Sequence, residues 1–336
     1  PCANKTHKTS PVNPSRVHIR MREQAVGVSL RPMAASSHVP EPDAGHDLAA
    51  LFARPFRLRR PETQTVPFVF ASPHSGRCYP AALNAASRLG PLMLRRSEDA
   101  FVDELFAEAV ALGAPLLAAE FPRVFLDVNR GAGEIDATMF AGALDVVVDA
   151  PSPRVAAGLG VIPRIVRDGA EIYRGKLKPA DAALRLEKLY RPYHRALSGL
   201  VEETLARFGV AVVVDCHSMP SALGATSIVL GDRYGASAAP ALSRLAETAF
   251  TREGLSVVRN TPYAGGHTTS LYGRAAQGCH ALQIEVNRGL YLEEEKIVRK
   301  EGFETLKLKL TAALTRLMRV DLSVLRPADG LPAAAE

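Results

Sequence analysis

The run VAVVVDCHSMP at Val210–Pro220 constrains the fold more than any other stretch of the chain. Val210, Val212, Val213 and Val214 leave neither face of a strand polar, the pattern of a strand buried on both sides in the middle of an α/β sheet. The apolar run then stops at Asp215-Cys216-His217-Ser218, which sets polar groups at the strand's carboxyl end, where open α/β sheets form their binding crevice. A two-residue period places Asp215 and His217 on one side and Cys216 on the other, so a Cys216–His217 nucleophile pair is disfavoured. VPFVFASPHSG (Val66–Gly76) repeats the design with an apolar strand leading to His74. HALQIEVNR (His280–Arg288) carries Glu285 inside a strand-like run.

Around these three runs the chain alternates strands and helices, with several adjacent strand pairs, which predicts a mixed sheet sandwiched by helices. Residues 1–47 lack any sustained period and read as a disordered extension. The chain begins with Pro1, and Met21 and Met33 follow. An upstream extension of the reading frame therefore accounts for the first 32 or so residues at least as well as a targeting signal does. A single domain is expected over 48–322, with a frayed tail over 323–336. Ser97 reads as a helix N-cap, with Glu98 and Asp99 in the first turn and a helical face running from Val102 to Leu112. Strands are expected at Pro115–Phe121 and Arg123–Val128, and a loop-rich insertion over the site follows. A long helical pattern, Asp181–Phe208, is interrupted by Pro192 and closed by Gly209. Further on, Thr226–Leu230 reads as a strand, Ser237–Glu253 as a helix, Leu255–Arg259 as a strand, and Leu292–Met318 as a terminal helix.

Composition excludes several classes. No apolar run approaches the roughly 18–20 residues of a membrane span. The net charge of +6 is mild and suits an acidic small molecule. Without a Lys/Arg block, zinc-finger spacing or aromatic-interleaved basic stretch it gives no ground for a nucleic-acid partner. The four cysteines form no CxxC pair, so reduced thiols in a cytoplasmic protein are expected. No G-x-S-x-G elbow supports a serine hydrolase.

What remains is the pattern of a hydrolytic metal site, which takes three protein ligands and leaves a position for water. His74 and His217 are the nitrogen candidates. Glu98 or Asp99 would supply the carboxylate, although acids in a helix's first turn also stabilise the helix dipole with no metal. Glu285 is an acid in a run fit for burial, costly unless paired or functional. It serves either as a proton carrier between water and a leaving amine or as a structural partner of an arginine such as Arg288. Arg123, Asn129 and Arg130 form a third cluster suited to carboxylates and oxyanions, with Asp127 as the internal partner of one arginine.

Seven stretches, in order, resemble the N-formylglutamate amidohydrolase family: SPHSG (Ser72–Gly76), EDAFVDEL (Glu98–Leu105), EFPRVFLDVNR (Glu120–Arg130), RPYH (Arg191–His194), DCHSMP (Asp215–Pro220), PYAGG (Pro262–Gly266) and QIEVNRGLY (Gln283–Tyr291). The resemblance implies a three-layer α/β/α sandwich of the zinc-carboxypeptidase-like (phosphorylase/hydrolase-like) type, related to aspartoacylase. It implies one Zn2+ ion held by His74, His217 and an acid, Asp99 being preferred because the family pattern keeps it more consistently. It further implies Glu285 as general base and then acid, Arg123 on the formyl carbonyl, and Asn129 and Arg130 on a substrate carboxylate. The expected activity is hydrolysis of an N-formyl or small N-acyl amino acid, most simply N-formyl-L-glutamate. Family members that act in histidine degradation read GGYITRHYG where this chain reads GGHTTSLYG, so Ser270 replaces an Arg and a different N-acyl amino acid comes into consideration. Two other readings are a carboxypeptidase-like hydrolase and a non-catalytic metabolite-binding homologue.

Overall fold

A computed structural model describes residues 46–166 and 168–326. The disordered extension expected over 1–47 therefore lies almost wholly outside the described residues, as do the last ten residues of the expected tail. Within that tail Leu322–Val324 form a 3-10 turn and Leu325 is buried.

The central element is a seven-stranded mixed sheet: β1 (Phe56–Arg59), β2 (Phe68–Ser72), β3 (Leu116–Ala119), β4 (Ala211–Met219), β5 (Ile228–Gly231), β6 (Val257–Arg259) and β7 (Cys279–Asn287), in the order β1-β3-β2-β4-β7-β5-β6. β1 on β3 and β5 on β7 are antiparallel; the other neighbours are parallel. The valine-rich run is the middle strand, with all nine residues of β4 buried, and so are all nine of β7 beside it. The polar quartet lies in the carboxyl-terminal half of β4, at the strand end where it is expected. The strand stays paired to β7 through Met219, so Asp215 and His217 are held by ladder hydrogen bonds.

Alternation divides these strands between two apolar layers. Phe68, Phe70, Val212, Val214, Cys216, Leu282 and Ile284 face helices Pro240–Arg252 and Phe303–Leu317. Val69, Ala71, Val213 and Ala281 face helices Pro179–Arg185 and Arg191–Phe208 through Leu197, Leu200 and Val201. The result is the expected three-layer sandwich. Among the described residues no helix is long and apolar enough to cross a membrane.

Local expectations fail where turn chemistry overrides pattern. Ser97 caps no helix: the helical turn begins at Val102, behind Phe101 in the left-handed region, and covers only Val102–Leu105 before a 3-10 turn. Arg123–Val128 is not a strand, because the Phe125 and Leu126 amides fold back onto the Pro122 carbonyl and make consecutive turns. The Pro192 interruption appears as a π-helical turn, Leu186–Tyr190, which absorbs the missing amide before helix Arg191–Phe208 begins. The terminal helix starts at Phe303, since Leu292–Glu293 and Val298–Arg299 pair as a hairpin around Ile297 at φ 54°.

The central position of β7 predicts a sharp contrast between two leucines. Leu282→Ala, at a site with 0% exposure, should cost about 2–5 kcal/mol of unfolding free energy. Leu308→Ala, at 71% exposure, should change it by no more than about 0.5 kcal/mol. Urea denaturation of the two variants measures both.

Candidate active site

The register of β4 on β7 aligns Asp215 with Gln283 and His217 with Glu285. Residues paired across parallel strands point to the same face, so four polar side chains stand together near the carboxyl ends of the two central strands. His74 joins them from two residues beyond β2. Its loop is drawn in by the bond from the Cys78 amide to the Glu120 carbonyl, 2.9 Å. At Gly76 the backbones approach so closely that a Cβ would sit 2.1 Å from the Phe121 carbonyl oxygen; no other residue fits there. The Asp99 amide donates to the His74 carbonyl at 3.0 Å, which brings the acid to the same point.

His74 Nδ1 and His217 Nδ1 are 3.1 Å apart, and Asp99 Oδ2 lies 3.4 and 3.0 Å from them respectively. Behind the rings, His74 Nε2 donates to Asp127 Oδ1 at 2.7 Å, while His217 Nε2 lies 2.9 Å from Asp215 Oδ2 and 3.1 Å from Asn129 Nδ2. A carboxylate only accepts, so His74 Nε2 carries a hydrogen toward Asp127 and the ring turns Nδ1 toward His217 and Asp99. Two ring nitrogens and a carboxylate oxygen thus converge, and they favour a positive charge among them. A proton supplies it in part: burial opposes protonation of His217, but Asp215 and Asp99 outweigh burial and hold its pKa well above the ordinary imidazole value. The same histidines, with Arg288, hold Asp99 well below the usual carboxylate range despite its burial. A tetrahedral ion bound at about 2.0–2.1 Å separates its ligand atoms by about 3.3–3.4 Å, close to the triangle observed. Among the described residues these three buried groups form a cluster able to hold a metal ion.

Asp99 and Glu98 are separated by their partners. Both Glu98 oxygens are engaged by Arg95, at 3.0 and 3.1 Å, facing away from the histidines. Asp99 Oδ1 accepts from Arg288 Nη2 at 2.8 Å and from Ser218 Oγ at 3.2 Å, which leaves Oδ2 for the two rings. Arg288 is therefore the partner of Asp99, not of Glu285. The Glu285 carboxyl receives Gln283 Nε2 at 2.8 Å on Oε1 and has no hydrogen bond to Oε2 among the described residues. Burial pushes its pKa up to about 7, against the opposing pull of His217 and Arg123.

The third cluster lies across the site. Asp127 Oδ1 also accepts the Asn129 amide at 2.8 Å, closing an Asx turn, while Asp127 Oδ2 accepts from Arg123 Nε at 3.0 Å. The terminal nitrogens of Arg123, whose side chain is 26% exposed, make no hydrogen bond among the described residues. Asn129 donates to Asp215 Oδ2 at 3.2 Å and accepts the Thr268 amide at 2.7 Å. Arg130 donates to the carbonyls of Leu159 and Asn129 at 3.0 and 2.8 Å. The Gly265-Gly266 loop is packed onto this wall: a Cβ on Gly266 would meet the Asn129 side-chain amide nitrogen at 2.5 Å. Ser270 is exposed on the short helix His267–Tyr272. Cys216 is buried in the opposite layer, where burial raises its thiol well above the ordinary value. Gln283 and Ser218 were not anticipated as participants. The signal available for Gln283 was an amide two residues from Glu285 in an otherwise apolar strand.

His194 ties three elements around the wall. Its Nε2 donates to the Val128 carbonyl at 2.9 Å and its Nδ1 lies 3.0 Å from the Tyr272 hydroxyl. Tyr190 donates to the Arg130 carbonyl at 2.8 Å beside it.

Comparison with known proteins places this geometry. Residues 66–292 match the family model described as N-formylglutamate amidohydrolase. N-formylglutamate deformylase of Pseudomonas aeruginosa is 30% identical over 239 residues, 68% of this chain and 84% of that protein. The Pseudomonas putida enzyme of the same name is 30% identical over 241 residues, covering 68% and 83%. The crystal structure of N-formylglutamate amidohydrolase from Ralstonia eutropha JMP134 is similar at a TM-score of 0.75 and 38% identity, covering 79% of this chain and 97% of that one. A gene product of Agrobacterium tumefaciens shares the fold at a TM-score of 0.56 and 18% identity, covering 82% and 96%.

Burial pushes the His194 pKa down to about 4, against the bond to Val128, which raises it. The unfolded imidazole titrates near 6.5, so the unfolded chain takes up this proton first as pH falls. Stability held by neutral His194 is thus complete above about pH 6.5 and is lost as pH falls through the folded value, in total about 3 kcal/mol. His194→Gln should shrink the fall in unfolding free energy between pH 7 and pH 4 by about that amount, measured by urea titration at both pH values.

Proposed function

The chain belongs to the N-formylglutamate amidohydrolase family, and from that premise we propose that it hydrolyses N-formyl-L-glutamate to L-glutamate and formate, using one zinc ion held by His74, Asp99 and His217. The convergence of His74 Nδ1, His217 Nδ1 and Asp99 Oδ2 within 3.4 Å, each group backed by a carboxylate or a guanidinium, is what carries the proposal. Two imidazole nitrogens and one carboxylate oxygen in a triangle of tetrahedral size suit zinc and leave a fourth position open. When bound, the ion would supply Lewis acidity toward water and the formyl carbonyl.

The chain's own residues account for the proton and the charge. Glu285 Oε2 takes a proton from water as the new C–O bond forms, then returns it to the nitrogen as the C–N bond breaks and the amine leaves. A carboxyl near pH 7 suits both directions of transfer. Arg123 turns its unengaged nitrogens to the formyl oxygen and stabilises the charge that develops there. Arg130 binds a substrate carboxylate, and Asn129, fixed by Asp215 and the Thr268 amide, forms the wall on which that group rests. Ser270 is exposed, and a panel of N-formyl and N-acetyl amino acids would rank the preferred acid. Free thiols at Cys78, Cys216 and Cys279 support a cytoplasmic site of action.

Removing one ligand should separate the two neighbouring acids. Asp99→Asn should lower zinc content by at least tenfold at a fixed free-zinc level, whereas Glu98→Gln should stay near one ion per chain, both read by elemental analysis after dialysis.

Glu285→Gln should keep its zinc and lose about 10²–10⁴-fold in formate release from N-formyl-L-glutamate. Activity within threefold of the unmodified enzyme would remove Glu285 from the reaction.

A further inference from the structure

Gln283 is 4% exposed and projects from the same face of β7 as Glu285, one alternation earlier. Its Oε1 accepts the Gly266 amide at 2.8 Å, and its Nε2 donates to Glu285 Oε1, also at 2.8 Å. The first bond fixes the second. A backbone N–H cannot accept, so the oxygen must face Gly266, and the amino group is then directed at the carboxylate. Gly266 itself cannot drift, since its Cα lies against the Asn129 amide and Asn129 also holds the Thr268 amide. A rigid chain of contacts therefore runs from the wall at Asn129, through the Gly265-Gly266 loop and Gln283, to one oxygen of Glu285.

From this chain of contacts we infer that Gln283 is a positioning residue: it immobilises Glu285 Oε1 and so presents Oε2 as the proton-carrying oxygen. A glutamate has three side-chain torsions, and a freely turning carboxylate would offer its oxygens to water at varied distances. Proton transfer requires one oxygen within hydrogen-bond reach at the moment of attack. The same link transmits the seating of the Gly265-Gly266 loop to the base. The inference rests on the reading of Glu285 as general base, and the two are separable by experiment.

Gln283→Met keeps the length of the side chain and removes both hydrogen bonds. Gln283→Glu keeps an acceptor for Gly266 but sets a second carboxylate against Glu285. With N-formyl-L-glutamate at pH 8, both variants should retain one zinc per chain and lose about 10–100-fold in kcat, with KM within threefold, since a hydrogen bond to a charged group acts in the transition state here. A merely structural role would lower zinc content or raise KM. If Gln283→Met does not unfold cooperatively, Gln283→Glu decides by the same criteria. Wild-type kcat in a zinc-loaded variant, or a loss confined to KM, overturns the inference while leaving Glu285 untouched. Full activity in Glu285→Gln overturns the reading beneath it.

Discussion

The site depends on two imidazole nitrogens and a carboxylate oxygen being held within 3.4 Å of one another. Each ring is committed by the groups behind it: Asp127 holds the Nε2 hydrogen of His74, and His217 Nε2 lies against both Asp215 and Asn129. Asp99 is committed in turn by Arg288 and Ser218, which occupy its other oxygen. None of the three can turn away without breaking a buried, charge-assisted bond, so the electron-rich atoms stay together. Removing any of the backing carboxylates would free a ring to flip, and the preference for a cation would weaken with it.

The sheet makes this possible because its register sets side chains more firmly than any loop. Asp215, His217, Gln283 and Glu285 lie on two adjacent parallel strands in a fixed two-by-two array. A slip by one residue would turn all four into the apolar layer on the other face. Loop groups are then added to this array by backbone bonds: His74 to the Asp99 amide, Asp127 to the Asn129 amide, Gln283 to Gly266. The sheet supplies the accuracy and the loops supply the variety of chemistry.

This division also explains what could be read from the residues alone. The strands bearing His217 and Glu285 were legible, the first from its run of valines and the second from the apolar residues Leu282, Ile284 and Val286 around Glu285, and the common side of Asp215 and His217 followed from the two-residue period. Arg123–Val128 looked equally strand-like, but the pattern is blind to Pro122 turning the chain through its carbonyl. The choice between Glu98 and Asp99 was open because it depends on which acid an arginine claims. Arg95, three residues before Glu98, was the visible hint. Gln283 escaped notice because an amide's role appears only with its two partners, one of them a backbone N–H seventeen residues earlier.

One strand can serve both a dry core and a charged site because alternation keeps the two apart. On β4, Val212, Val214 and Cys216 face the layer of Phe250 and Leu310, while Asp215 and His217 face the other. Beside the arginines of this face, Asn129, Gln283, Tyr190, Tyr272 and His194 bring hydrogen bonds without net charge near neutral pH. Around a cluster whose acids already favour a cation, neutral donors and acceptors can fix geometry without competing for that charge. A protonated imidazole at His194 would put a positive charge on this wall, beside the Val128 carbonyl and the Tyr272 hydroxyl. Burial, which pushes the His194 pKa down to about 4, keeps that charge away near neutral pH.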